Sequence, residues 1–226
     1  MSTLICFALK EEAAPFRKIA AAKSGISILL TGIGRQNAEK SLREFLAGGA
    51  SLVLTCGFAG GLNPELKLGE VVFEIFPGRS QGDETQIKNE LETPDVVSCE
   101  KLVAAGAKPA KFFCADHIAT TVAEKKNLRA ETGADVVEME SAAIHAVCRE
   151  HGIPCATVRV ISDTASEDLP LDFNALSKPD KNLDFGKLFL AIAKSPGKIG
   201  ALMQLQKKTK FAAEQLAEVL AKIIWP

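Results

Sequence analysis

Six short apolar runs, separated by helix-like stretches, constrain this chain most. They are LICFAL (4–9), ISILL (26–30), SLVLT (51–55), VVFEIF (71–76), KFFC (111–114) and CATVRVI (155–161). Each is near-continuous rather than alternating, the pattern of strands covered on both faces. Between them, residues 11–22, 36–47, 99–105, 121–131 and 140–151 read as helices, and Gly48-Gly49 and Gly152 read as helix stops. Strands alternating with helices predict a layered α/β domain, with parallel pairing the expectation. The polar segment 78–94 reads as a surface excursion.

Composition removes several function classes. The net charge of -1 over 226 residues gives no field that calls for nucleic acid. No stretch approaches the roughly 20 apolar residues of a membrane span. The start, MSTLICFALKEE, has no basic segment ahead of its apolar run, so no secretory leader is expected and a cytoplasmic location is. Cys6, Cys56, Cys99, Cys114, Cys148 and Cys155 form no C-x-x-C pair and read as reduced thiols, mostly in the core. His117, His145 and His151 lack ligand spacing, so neither a metal nor a cofactor is expected.

Several features sit where chemistry is placed in such folds. TGIGRQNAEKS (31–41) and CGFAGGLNP (56–64) read as glycine-rich turns after strands, where backbone approaches a ligand closely, or simply as tight turns. RVISD (159–163) ends a strand with an aspartate, either at a ligand-binding edge or as a cap on the next segment. Glu11-Glu12 follows the first strand, where a helix dipole alone accounts for a carboxylate. DVVEMESAAIHAVC (135–148) places Glu138 and Glu140 at the entrance of a small-residue helix.

Together, ALKEE, TGIGRQNA, CGFAGGLNPELKLGEVV, VVEMESAAIHAVC and VRVISD resemble the nucleoside phosphorylase and methylthioadenosine nucleosidase superfamily, in order, over residues 4–165. The resemblance implies one domain over 1–226, three layers α/β/α around a mixed central sheet, with residues 180–226 as a C-terminal helical extension. It implies an enzyme that cleaves the N-glycosidic bond of a purine nucleoside, as hydrolase or phosphorylase. By the same resemblance Glu12 acts on the attacking water, and Glu140 binds the ribose hydroxyls with Met139 beside it. Glu138 belongs to that motif without an assigned role. Arg159, Ile33 and Gly34 lie near the sugar, and Asp163, with Ser162 alongside, serves N7 of the base. Such residues suit a reaction that builds positive charge on the sugar and negative charge on the base. It requires Asp163 to carry or share a proton while Glu140 stays ionised.

Three departures bear on the substrate. Phe58 stands where relatives carry a serine in the glycine turn. Ile118 stands where methylthioadenosine nucleosidases stack a phenylalanine on adenine, leaving Phe173 to supply the ring. Glu12 and Thr55 stand where hexameric phosphorylases hold phosphate with arginines, which favours hydrolysis. Phosphate as co-substrate stays open through Arg17, Arg35 or Arg79. The tail, with eight lysines against four acids over residues 180–226, reads as a pair of helices packed on the domain, as a basic amphipathic surface for membrane or lipid-like substrate, or as a subunit contact. It is similar to hopanoid-associated phosphorylase-like proteins, which implies a lipid-linked adenine nucleoside. Three readings stand: release of adenine from a 5′-modified nucleoside by hydrolysis, phosphorolysis of a purine nucleoside or of adenosylhopane, and a non-catalytic nucleoside-binding module. A homo-oligomer is implied by the family.

Overall fold

The computed structural model describes residues 3–76, 98–176 and 196–225. The excursion at 78–94, with Arg79, lies outside them, as does the tail between 177 and 195. Eight strands form one sheet: β1 Thr3–Phe7, β2 Ile26–Leu30, β3 Leu52–Gly61, β4 Val71–Phe76, β5 Lys108–Pro109, β6 Phe112–Cys114, β7 Val136–Glu138 and β8 Cys155–Asp163. The described helices are α1 Lys10–Ala20, α2 Arg35–Leu46, α3 Cys99–Ala104, α4 Val122–Thr132, α5 Ser141–Glu150 and α6 Ile199–Ile224.

The sheet runs β2-β1-β3-β8-β4-β5, and β7 pairs with the far end of β3 and with β6. Parallel pairing holds for β1 with β2 and β3, and for β3 with β8. It fails for β4 against β8 and for β7 against β3, which are antiparallel, so the sheet is mixed. β1 shows why the runs are continuous. Its Ile5 and Phe7 face a core shared with α1, α3 and α6, while Leu4 and Cys6 face one shared with α2 and α5. Removing both faces from water at about 25 cal/mol per Å² drives the three-layer arrangement.

Two expectations are corrected. CGFAGG is strand rather than turn: β3 continues through Gly61, because β8 pairs along it and β7 takes up Gly60 and Gly61. The tail, in its described part, holds one 26-residue helix, and the rest of the expected helical extension, over 177–195, lies outside the described residues. The short β7 does not read as a strand from sequence. Asp135 pins it, its side chain accepting bonds from Asn63 Nδ2 (2.9 Å), Arg129 Nη1 (3.1 Å) and Lys111 N (3.0 Å). The second half of α6 buries Ala212, Ala213, Leu216, Ala217, Leu220 and Ile223 in the core, and Trp225 stacks on Phe16 of α1, centroids 5.8 Å apart.

Candidate active site

The site is organised by β3 and β8. Arg159 of β8 stands opposite Gly57 of β3. A Cβ on Gly57 would lie 2.5 Å from Arg159 Nη1 and 2.7 Å from Glu12 Oε1, on a backbone at φ +149° that side chains rarely adopt. Glycine at 57 therefore lets a guanidinium and a carboxylate cross the strand. Farther along, the ladder slips: Ala59 faces Ile161, but Gly60 faces Asp163, with Ser162 the extra residue. Such bulges re-aim side chains at sheet ends. Here Ser162 Oγ donates to Asp163 Oδ1 (2.8 Å) and lies 3.3 Å from Ala59 O.

At one end, buried carboxylates gather round Arg159. Glu138 ends β7 and caps α5: its Oε2 accepts from Glu140 N (2.9 Å), Ser141 N (2.8 Å) and Arg159 Nη2 (2.7 Å), and its Oε1 from Ser141 Oγ (2.6 Å). Burial works to raise its pKa, but the guanidinium and these donors outweigh it and hold the carboxyl below the usual range. Glu140 Oε1 accepts from Gly34 N (2.8 Å), and Oε2 from Arg159 Nη2 (3.2 Å). Burial foremost, with Glu138 adding repulsion, pushes Glu140 up to about 7 against the attraction of Arg159. The resting protein therefore gives the firmly ionised place to Glu138, and Glu140 titrates near neutrality. Arg159 also donates to Cys56 O (3.1 Å) and Thr55 Oγ1 (3.3 Å), and its Nε alone has no partner.

Glu12 sits in the first turn of α1, buried although its neighbour Glu11 is exposed. Its Oε2 accepts from Leu9 N and its Oε1 from Phe58 N, each at 2.8 Å. Burial raises its pKa, opposed by Arg159 and these amides. Phe58 enters through its backbone, and its ring packs against the core. Gly34, at φ +86°, opens α2 and turns its amide onto Glu140. Ile33 is half-buried beside it, and Met139 is buried between the two glutamates. Ile118 and the segment with Phe173 come together through Asn174, which accepts from Ile118 N (2.9 Å) and donates to Ile118 O (2.8 Å).

The other end holds a residue that the sequence motifs do not mark. Lys125 of α4 has a fully buried side chain, and its Nζ donates to Asp163 Oδ2 at 2.5 Å. It also donates to Thr164 O (2.8 Å) and Glu167 O (2.9 Å). Helical spacing from Leu128 and Thr132 puts Lys125 on their face, the one signal that could have marked it.

The family model described as the phosphorylase superfamily matches residues 10–194. The chain belongs to the phosphorylase superfamily. Among superfamily relatives, aminodeoxyfutalosine nucleosidase of Campylobacter jejuni is 28% identical over 164 residues, 63% of this chain and 69% of that protein. The 5′-methylthioadenosine/S-adenosylhomocysteine nucleosidase of Shewanella halifaxensis is 27% identical over 176 residues, covering 69% and 76%. Among solved structures, futalosine hydrolase of Helicobacter pylori superposes with a TM-score of 0.66 at 20% identity, covering 99% of this chain and 97% of that one.

The remaining arginines stand apart. Arg17 lies exposed on α1. Arg35 donates to Cys114 O and faces Asp116 (3.3 Å). Among the described residues, no group of three His, Cys, Asp or Glu is placed to hold a metal ion, and no helix is long and apolar enough to cross a membrane.

Proposed function

We propose that the chain hydrolyses the N-glycosidic bond of an adenine nucleoside modified at its 5′ position, releasing adenine. One observation carries this reading: two buried carboxylates, Glu138 and Glu140, hydrogen-bonded to Arg159, with buried Glu12 close by, and a separate acid, Asp163, farther along the same pair of strands. The names of the superfamily relatives, which specify aminodeoxyfutalosine, methylthioadenosine and adenosylhomocysteine, support it.

Glu12 orients the water and takes its proton, a task suited to a carboxylate whose basicity burial has raised. Glu140 binds the ribose hydroxyls, with Met139, Ile33 and Gly34 lining the sugar. Arg159, locked by Glu138, holds Glu140 in place. As the C1′–N9 bond lengthens, the excess of carboxylates stabilises the oxocarbenium-like sugar. Asp163, steadied by Ser162, delivers a proton to N7 of the departing base. Ile118 and Phe173 flank the base. No cofactor is invoked. Hydrolysis outranks phosphorolysis because Arg159 is already engaged by two glutamates, Arg35 faces Asp116, and Arg17 lies exposed on α1. A binding module without catalysis is disfavoured, since Glu12, Glu140 and Asp163 are all present.

A second reading, a lipid-linked substrate met at a membrane surface, draws on α6. Its first half exposes Ile199, Met203 and Phe211 among Lys207, Lys208 and Lys210. A cytoplasmic homo-oligomer completes the proposal on family resemblance.

The test is to incubate the purified protein with methylthioadenosine, adenosine and inosine, with and without phosphate, and to chromatograph the products. Free adenine and free sugar without phosphate is the expected result. A sugar phosphate formed only with phosphate overturns hydrolysis. If no small nucleoside is cleaved, detergent-solubilised adenosylhopane separates the lipid substrate from a binding module.

A further inference from the structure

We propose that Lys125 is the proton source for Asp163, so that the base leaves with a proton passed from the lysine ammonium through the aspartate to N7. This inference rests on the nucleosidase reading above and extends it to a residue that reading does not use.

Asp163 cannot supply the proton by itself. Both of its oxygens already accept hydrogen bonds, Oδ1 from Ser162 Oγ and Oδ2 from Lys125 Nζ. A carboxylate held between two donors has no proton of its own to give. One of the donors must hand over, and of the two an ammonium is a far stronger acid than a serine hydroxyl. Bulk water is a poor alternative, because the Asp163 side chain is 11% exposed and that of Lys125 is 0% exposed.

The lysine is placed for this task and little else. Its three N–H bonds are all used, on Asp163, Thr164 O and Glu167 O. Burying an ammonium is costly unless every proton is matched. The two carbonyls keep the amine solvated after its proton leaves. They also tie the 164–167 segment to α4, so Asp163 is aimed as well as supplied. Among the described residues, the other charged pair against this segment is Glu167 with Lys208 of α6, at 2.8 Å. That pair is balanced and leaves the charge on Lys125 to Asp163.

The step balances. The C1′–N9 bond breaks with its electrons passing to the purine, and Asp163 takes a proton from Lys125, which becomes a neutral amine, and passes it to N7, ending as the carboxylate it began as. Water forms the new C1′–O bond and gives its proton to Glu12. Charge is conserved: one ammonium and one carboxylate are neutralised together. On product release Glu12 returns a proton to solvent and Lys125 takes one up.

Lys125 acts through Asp163, so it is a positioning and proton-supplying residue, and its test needs a readout that a tether would not move. Lys125→Met and Lys125→Arg are compared with wild type on methylthioadenosine and on a 4-nitrophenyl riboside, whose phenolate departs without a proton. At about pH 8 the Met variant is expected to lose about 10²-fold or more in kcat on methylthioadenosine. Its turnover of the nitrophenyl riboside stays at the wild-type level. At about pH 5, where a proton from solvent can replace the missing ammonium in the transition state, its deficit on methylthioadenosine shrinks. The Arg variant keeps the charge but not a transferable proton, and behaves as the Met variant does. It carries the same comparison if the Met variant fails to fold. Equal slowing of both substrates at both pH values overturns the relay in favour of a tether. Wild-type turnover of methylthioadenosine by either variant at the higher pH also overturns it. A wild type inert on methylthioadenosine, by contrast, overturns the nucleosidase reading itself.

Discussion

The two ends of the site are charged in opposite senses. Around Arg159 one cation faces Glu138 and Glu140 directly, with Glu12 close by, so the cluster carries surplus negative charge. At Asp163 one carboxylate meets one ammonium, and the pair is neutral. The difference matches what a dissociating N-glycosidic bond needs. On the proposed mechanism the sugar, turning positive, would meet the carboxylate cluster, and the base, turning negative, would meet a pair that can give up a proton. The ends differ in rigidity too. The four hydrogen bonds on Glu138 lock the arginine cluster into β7 and α5. The Lys125 pair is anchored on the loop after β8.

The largest expected effect that breaks this contrast is Arg159→Met. It leaves Glu138 and Glu140 buried without their cation, and loss of one partner of such a network costs about 3–5 kcal/mol. In a thermal melt this is a fall on the order of 10 °C for a chain of this size. A melting temperature unchanged from wild type would refute the surplus-charge picture. Removing the Lys125 ammonium should lower it less, because Asp163 keeps its Ser162 hydrogen bond and some contact with solvent.

Asp163→Asn and Glu140→Gln sharpen the comparison through turnover. The first should lose about 10²–10⁴-fold on methylthioadenosine and little on a 4-nitrophenyl riboside. The second should slow both substrates, because every leaving group leaves the same sugar cation behind. Identical selectivity in the two variants would erase the division into ends.

Gly57→Ala tests the crossing on β3. The new Cβ falls on Arg159 Nη1 and Glu12 Oε1 at an unfavourable φ. Backbone strain alone is worth about 1–3 kcal/mol, to be measured by urea denaturation. Glycine-like stability in this variant would mean that the two side chains have room to retreat.

The smallest effect is a pH dependence. The folded pKa of Glu140 is raised to about 7 from 4.5, so its neutral form favours folding. That contribution is fully present below about 4.5, shrinks as pH rises, and is gone above about 7. The melting temperature of Glu140→Gln relative to wild type should therefore shift in favour of the variant between about pH 5 and pH 8, by a few degrees at most. A constant difference across that range would show that Glu140 is ionised throughout. His145 pulls the other way in the wild type: burial lowers it to about 4, so acidification below its ordinary value costs stability. Because His145 is common to both proteins, the difference isolates Glu140.

Most of this architecture is readable without coordinates where burial is continuous. The six apolar runs are strands, and the five helical stretches between them are helices within a residue or two. What escapes is what depends on a neighbour distant in sequence. CGFAGG looks like a turn because glycine is a poor strand former, and only Arg159 and Asp163 crossing from β8 explain its place in β3. Glu138 has no readable role until three-residue β7 is fixed by its pairing to β6 and β3 and pinned by Asp135. Lys125 and Lys126 are indistinguishable in VAEKKNLRAET, yet packing buries the first completely and leaves the second exposed. The site acids themselves are legible because their motifs are local in sequence, even though their partners are not.

The burial of α6 against the opening strand has a consequence for how the molecule comes to be. Ile5 and Phe7 of β1 share one apolar cluster with Leu216, Leu220 and Ile223, almost the whole length of the chain away. Until the last helix is made and docked, that face of the first strand stays wet. The α1 turn that presents Glu12 then lacks the stacking of Trp225 on Phe16. Contacts of such long sequence separation close slowly. A chain lacking α6 would hold most of the candidate site's residues without the helix that packs behind β1 and α1.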